Sequence, residues 1–226
     1  MLNYLFLYII FRMLGSPVSV LLAFIVLYLL VGRTFSGAAP DPFRAFRISG
    51  RIRELKRIIE LNPHDARSLK ELGIFLVERG DYGGAQRYFE RAAPRMLDDP
   101  EFKFYYGISI ARSGDVHRGR ELVDSALQQS PGLKYGDPYL MMAEVYIDAG
   151  DYRNALPLLE RFEKIHYASV RGLYQLGRVK LKLGMKAEGM EYLGKAIAVY
   201  REAPRYRRRL ERKWAWKARL LLRKEA

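Results

Sequence analysis

SLKELGIFLVERGDYGGAQRYFERA, residues Ser68 to Ala92, decides the fold. An apolar helix of about 13 residues ends at Gly80, a residue that takes the left-handed conformation without a steric penalty. Asp81-Tyr82 then opens a second helix, the Asp capping its free N–H groups. The helix–Gly–helix pattern returns three more times, with Asp-Tyr again at Asp151-Tyr152 and Asp alone at Asp115. Aligned on the small residue in the middle of the first helix, the copies fall at Gly73, Gly107, Ala143 and Gly177, in steps of 34, 36 and 34. The glycines between the helices, Gly80, Gly114, Gly150 and Gly184, keep the same steps. Two landmark series sharing one period of this size predict a solenoid of stacked helix pairs.

Small residues also stand where two backbones must come close: Gly73 against Ala85, Gly107 against Gly119, Ala143 against Ala155, Gly177 against Gly189. Together with Leu72-Gly73, Leu176-Gly177, the Gly-Asp-Tyr turns, the later Ala92, Ala126 and Ala196, and Pro131 at a repeat's close, this text resembles the tetratricopeptide repeat. The expected architecture is all-α: four helix pairs at about residues 66–99, 100–133, 136–169 and 170–203, with capping helices at both ends. Residues 51–63 read as the second helix of a truncated leading repeat, because Pro63 precedes Pro131 by two periods. Residues 204–226 read as a basic closing helix. Two features depart from the family pattern. The loop at Lys134 to Gly136 is two residues longer than the period, and Phe162 stands where a small residue is usual, with Pro157 inside the same helix.

Before the repeats, Met13 to Gly32 is a 20-residue run without a charge, bracketed by Arg12 and Arg33. As a helix it is about 30 Å long, matching a hydrocarbon core. Residues 1–33 are therefore expected to be a membrane anchor with one span at 13–32, and residues 34–50 a juxtamembrane linker. Leu2 to Phe11 is apolar but too short to span alone; an interfacial helix, a kinked extension and a hairpin arm all fit it. A cleaved signal peptide is the rival reading, disfavoured by the length of the run and by Arg33 ahead of Ser36-Gly37-Ala38. Arg33, Arg44, Arg47, Arg51, Arg53, Lys56 and Arg57 follow the span, which places the repeat domain in the cytoplasm, at a bacterial inner membrane.

The net charge of +14 is unevenly spread: +5 over residues 1–63, −3 over 64–169 and +12 over 170–226. In the last part, Arg205, Arg207, Arg208, Arg209, Arg212, Lys213 and Lys217 form a candidate patch for an anionic surface, with lipid headgroups or an acidic protein favoured over nucleic acid because no nucleic-acid fold accompanies it. Leu210 and Trp214 of that helix are expected to cover the last repeat. The chain has no Cys, which excludes disulfides, thiolate metal sites and thiol nucleophiles. His64, His117 and His166 are isolated, and no phosphate loop, nucleophile elbow or metalloprotease motif occurs. No catalytic residue, metal or cofactor is expected.

The resemblance implies instead a protein or peptide partner, held in the concave groove lined by the first helices of successive repeats. Carried over by alignment, the groove positions are Arg67, Lys70 and Ile74; Phe104, Ile108 and Arg112; Leu140, Glu144, Ile147 and Asp148; and Tyr174, Arg178, Leu181 and Lys182. They form an apolar floor with opposite charges on neighbouring repeats, suited to an amphipathic segment carrying both signs. Lys70 loosely matches the carboxylate clamp of chaperone-binding relatives, but Ile74 stands where that clamp needs Asn. The alternative is that the floor residues pack only against one another, and that the basic closing helix is the working surface.

Overall fold

The computed structural model describes residues 42–225. Among them, ten α-helices and one short 3₁₀ turn follow one another, with no strand. The leading helix α1 runs from Pro42 to Leu61. The pairs are α2 (Ala66–Arg79) with α3 (Tyr82–Met96), α4 (Pro100–Arg112) with α5 (Val116–Gln129), α6 (Asp137–Asp148) with α7 (Tyr152–Ile165), and α8 (Val170–Lys182) with α9 (Lys186–Glu202). The closing helix α10 is Arg205–Glu225. The pairs occupy Ala66–Met96, Pro100–Gln129, Asp137–Ile165 and Val170–Glu202. The leading helix begins at Pro42, inside the stretch read as linker, and a proline is well suited to a first helical turn because it lacks the N–H that would go unpaired there.

The anchor expected at residues 13–32, with the rest of 1–41, lies outside the described residues. Among the described residues, no helix is long and apolar enough to cross a membrane.

Local chemistry sets the helix ends. Asp81, Asp115 and Asp151 each accept from the backbone N–H three residues on, at 2.9, 3.0 and 3.1 Å. Asp65, Asp99 and Ser169 do the same for the first helices of three repeats. At each turn between paired helices a glycine has positive φ, as at Gly80 and Gly150 (82° and 78°). The next residue's N–H reaches back five residues to a first-helix carbonyl, as from Asp81 to Leu76 at 2.9 Å, closing the orphan carbonyls of the helix end.

Tertiary packing follows the small-residue code in the second and fourth pairs and departs from it in the first. A Cβ on Gly107 would stand 2.6 Å from the Gly119 carbonyl oxygen, and one on Gly189 would stand 3.0 Å from that of Gly177, so α4/α5 and α8/α9 meet backbone to backbone. In the first pair, Gly73 instead makes room for the Phe89 ring, 2.6 Å from where a Cβ would be, rather than for Ala85. Phe89 then meets Phe102 edge to face at 5.4 Å, and both rings lie within 6 Å of Tyr106, joining the first two repeats.

Phe162 is accommodated the same way. It is fully buried, and its ring fills the space left by Gly172 in α8 and by Gly136. The longer loop ahead of α6 holds Lys134, Tyr135 and Gly136 at φ 49°, 54° and 86°, three successive left-handed residues that turn the chain into α6. Pro157 lies inside α7, and Pro94 near the end of α3. Both are on exposed faces and neither interrupts its helix.

The core is one long cluster from Ile52 to Val179 and a second, smaller one where Val170, Leu173, Tyr174, Leu193 and Ile197 meet Ala215 and Ala218 of α10. Thus α10 does close the last repeat, but not through Leu210, which is 68% exposed. Trp214, Leu221 and Leu222 flank the two alanines instead.

Candidate functional site

The first helices α2, α4, α6 and α8 carry the expected groove positions, and the structure divides these into two sets. Phe104, Ile108, Leu140, Ile147 and Tyr174 are buried: the apolar floor is spent on packing between neighbouring helices. Ile74 and Leu181 are half-buried, Arg178 is partly open beside Tyr174, and Arg67 and Lys182 face solvent.

The alternating charges expected to meet a partner meet each other first. Lys70 reaches Asp99 at 2.6 Å and Glu101 at 2.8 Å, and Glu101 also takes Lys134 at 2.7 Å. Arg112 pairs with Asp148 across one repeat. Arg171 holds the nearly buried Glu144 with Nε at 2.7 Å and a second bond from its terminal nitrogen, while Gln175 Nε2 donates to the same carboxylate at 3.0 Å. At the leading end, Arg51 grips Glu71 with two bonds of 2.9 Å. A ladder of ion pairs therefore runs from α1 to α8, each rung joining successive repeats.

The charges of the Lys70 rung support one another. Burial works against the Lys70 ammonium, but Asp99 and Glu101 outweigh it and hold its pKa above the ordinary lysine value. Burial likewise disfavours the charged forms of Asp99 and Glu101. Lys70 and the helix N–H groups pull Asp99 below the usual carboxylate range, and Lys134 with Lys70 does so for Glu101.

Sequence reasoning missed Arg51, Glu71, Asp99, Lys134 and Gln175 as members of this surface. A signal exists for part of it. Lys70–Glu101 and Glu144–Gln175 are both 31 residues apart, one period less one helical turn, which is the offset of side chains facing each other on adjacent first helices. Lys134 had no such signal, because its reach depends on the left-handed loop.

The C-terminal patch is also divided. Arg207 turns inward: its guanidinium donates to the Ala168 carbonyl at 2.6 Å, lies 3.4 Å from His166 Nε2 and faces Glu211 at 3.9 Å. It docks the first turn of α10 on the α7–α8 loop and is lost to the patch. Burial there lowers the His166 pKa and raises that of Glu211. Arg208 is partly open, while Arg205, Arg209, Arg212, Lys213 and Lys217 are exposed. Trp214 packs on Tyr174 at 5.6 Å and lies under Arg171, so this floor residue of the last repeat is covered by the closing helix. Among the described residues, no group of three His, Asp or Glu is placed to hold a metal ion.

Known proteins share this architecture. The solved structure of MamA superposes with a TM-score of 0.59 at 19% identity, covering 72% of this chain and 94% of MamA. YrrB, a TPR protein described with an unusual peptide-binding site, gives 0.50 at 16% identity over 76% and 89% of the two chains. TTC0263 of Thermus thermophilus gives 0.51 at 22% over 71% and 91%. At these identities the likeness is one of fold. The BBSome complex member BBS4 homolog of Drosophila melanogaster is 22% identical over 162 residues, 67% of this chain and 33% of that protein, so the chain spans about a third of its length. The tetratricopeptide-repeat profile matches residues 71–134 and 140–207, more than half of the sequence, and the chain belongs to that family.

Proposed function

We propose that this chain is a membrane-tethered scaffold that binds a protein or peptide segment along its first helices and keeps it at the bilayer. The observation that carries the reading is the ladder of ion pairs. Four repeats are locked into one continuous face, partly open at Arg67, Ile74, Arg178 and Lys182, with ion pairs between them. A preformed surface of this kind favours binding because little ordering is left to do on association. With the apolar floor buried, the partner is read mainly by charge and by the half-buried Ile74. The peptide-binding site ascribed to YrrB, and the membership of a complex ascribed to the fly relative, agree with such a role.

Site-specific photocrosslinking in cells tests it. A crosslinker at Ile74 or Arg178 is expected to trap one discrete partner, whereas one at Arg87 or Arg161 on the second helices traps none. Equal trapping from both faces, or trapping from the second helices alone, overturns the reading. The tether rests on the apolar run 13–32 and on its basic following flank. A topology reporter fused after Ala226 is expected to be active in the cytoplasm; activity on the far side of the membrane reverses the orientation.

A further inference from the structure

Helix α10 does more than close the last core. It has ten basic residues and two glutamates in 21 positions. Among the described residues, Arg207 is the one cation of the ten that has a carboxylate within ion-pair distance. A cap needs only its inner face, which is Trp214, Ala215, Ala218, Leu221 and Leu222. The outer face is built differently from an ordinary solvated one. Tyr206, Leu210, Lys213, Lys217, Leu220 and Lys224 step by four and three residues and so form one stripe. Tyr206 is 74% exposed, Leu210 68%, and Leu220 45%. Beside the stripe Trp216 is 60% exposed, between Arg212 and Arg219. These three residues line, with Tyr200, Ala215 and Lys213, an open cleft of about 530 Å³ between α9 and α10.

We infer that this outer face docks on an anionic lipid bilayer, with Arg212, Lys213 and Arg219 around lipid phosphates and Trp216, Leu210 and Leu220 in the interfacial layer. Three observations select lipid. Cations without carboxylate partners complement an anionic surface. Exposed leucines and a tryptophan interleaved with them gain by leaving water at a bilayer interface and have nothing to gain on a phosphate backbone, whose contacts are polar. The third is the uncharged apolar run 13–32, which as a membrane segment would raise the local concentration of α10 at a bilayer. This inference rests in part on the tethered reading above, and its test separates the two.

Trp214 and Trp216 are the two tryptophans of the chain. In a full-length Trp214→Phe variant, Trp216 alone reports on the outer face. The variant is reconstituted into nanodiscs of phosphatidylcholine alone, or with a third of phosphatidylglycerol, each with and without brominated acyl chains. Co-purification with phosphatidylcholine discs reads the tether. Blue-shifted Trp216 emission and its quenching by brominated lipid read the docking of α10, and both are expected only with phosphatidylglycerol and are reversed by salt. Replacing Arg212, Lys213 and Arg219 by Gln is expected to lower the docking equilibrium roughly a hundredfold, abolishing the quenching, with the circular dichroism melt unchanged. Quenching that is equal in both lipids overturns the inference, as does its absence from both. Displacement of α10 from the anionic discs by an equal charge of duplex DNA assigns the face to nucleic acid instead. If the chain fails to co-purify with neutral discs yet binds anionic ones, the tether is refuted and the docking face stands.

Discussion

Two glycines in helix interiors make opposite predictions for the same substitution. Gly107 lies in α4, where an added Cβ meets the Gly119 carbonyl oxygen at 2.6 Å and the Val123 side chain at 2.9 Å. Gly194 lies in α9, where an added Cβ meets nothing within 4 Å. Exchanging Gly for Ala in a helix interior stabilises by about 1 kcal/mol through the backbone entropy of the unfolded chain. Gly194→Ala should keep that gain. For Gly107→Ala, ordinary carbon–oxygen contacts start at about 3.3 Å, so α4 and α5 must part by roughly 0.7 Å along their closest line. Overpacking of this kind costs about 1–3 kcal/mol, and a backbone oxygen cannot rotate away, so the upper end applies. The net effect is a loss of about 1–2 kcal/mol. At about 2–4 °C per kcal/mol for a chain of this size, the midpoint falls by about 2–8 °C in Gly107→Ala and rises by about 2–4 °C in Gly194→Ala. Circular dichroism melts of the full-length protein in detergent micelles measure both. Because repeat arrays can unfold in parts, amide exchange in α4 and α5 is the second readout. A Gly107→Ala protein as stable as the parent, or a destabilised Gly194→Ala, refutes the backbone-to-backbone packing.

Three further outcomes follow from the packing and the ion pairs. Phe162→Ala should cost about 3–5 kcal/mol, since Gly172 and Gly136 leave the cavity without side chains to refill it; a loss below about 1 kcal/mol in urea melts would show that the site collapses freely. Asp99 and Glu101 have folded pKa values below their unfolded ones, so their contribution is full above an unfolded pKa of about 4 and is lost as pH falls through the depressed folded values. The parent's stability should therefore drop more steeply over that acid range than that of Lys70→Met, and parallel slopes would remove the ladder's role. Arg207→Ala should speed amide exchange in the first two turns of α10 and leave α2 to α7 unchanged; unchanged exchange in α10 would show that the Ala168 contact is idle.

Legibility in the sequence tracked the range of the interaction. The Asp caps, the left-handed glycines and the 34-residue period act within a few residues, or repeat identically, and each was readable from the text. The crossing code was readable where glycine met glycine. It failed at Gly73, where a ring one helical turn beyond Ala85 took the space. Leu210 and Trp214 are four residues apart and equally apolar in the text, yet docking rotated one outward and the other onto Tyr174.

The sequence by itself determined that this is a paired-helix solenoid and where its paired helices turn back on each other, because the turns are local and the repeat multiplies their signal. Tertiary structure alone decided what the solenoid shows to others. How closely successive first helices approach sets which side chains lose their water. That approach buried Phe104, Ile108 and Leu140, paired Lys70 with Glu101 and Arg171 with Glu144, and left the outer stripe of α10 uncovered.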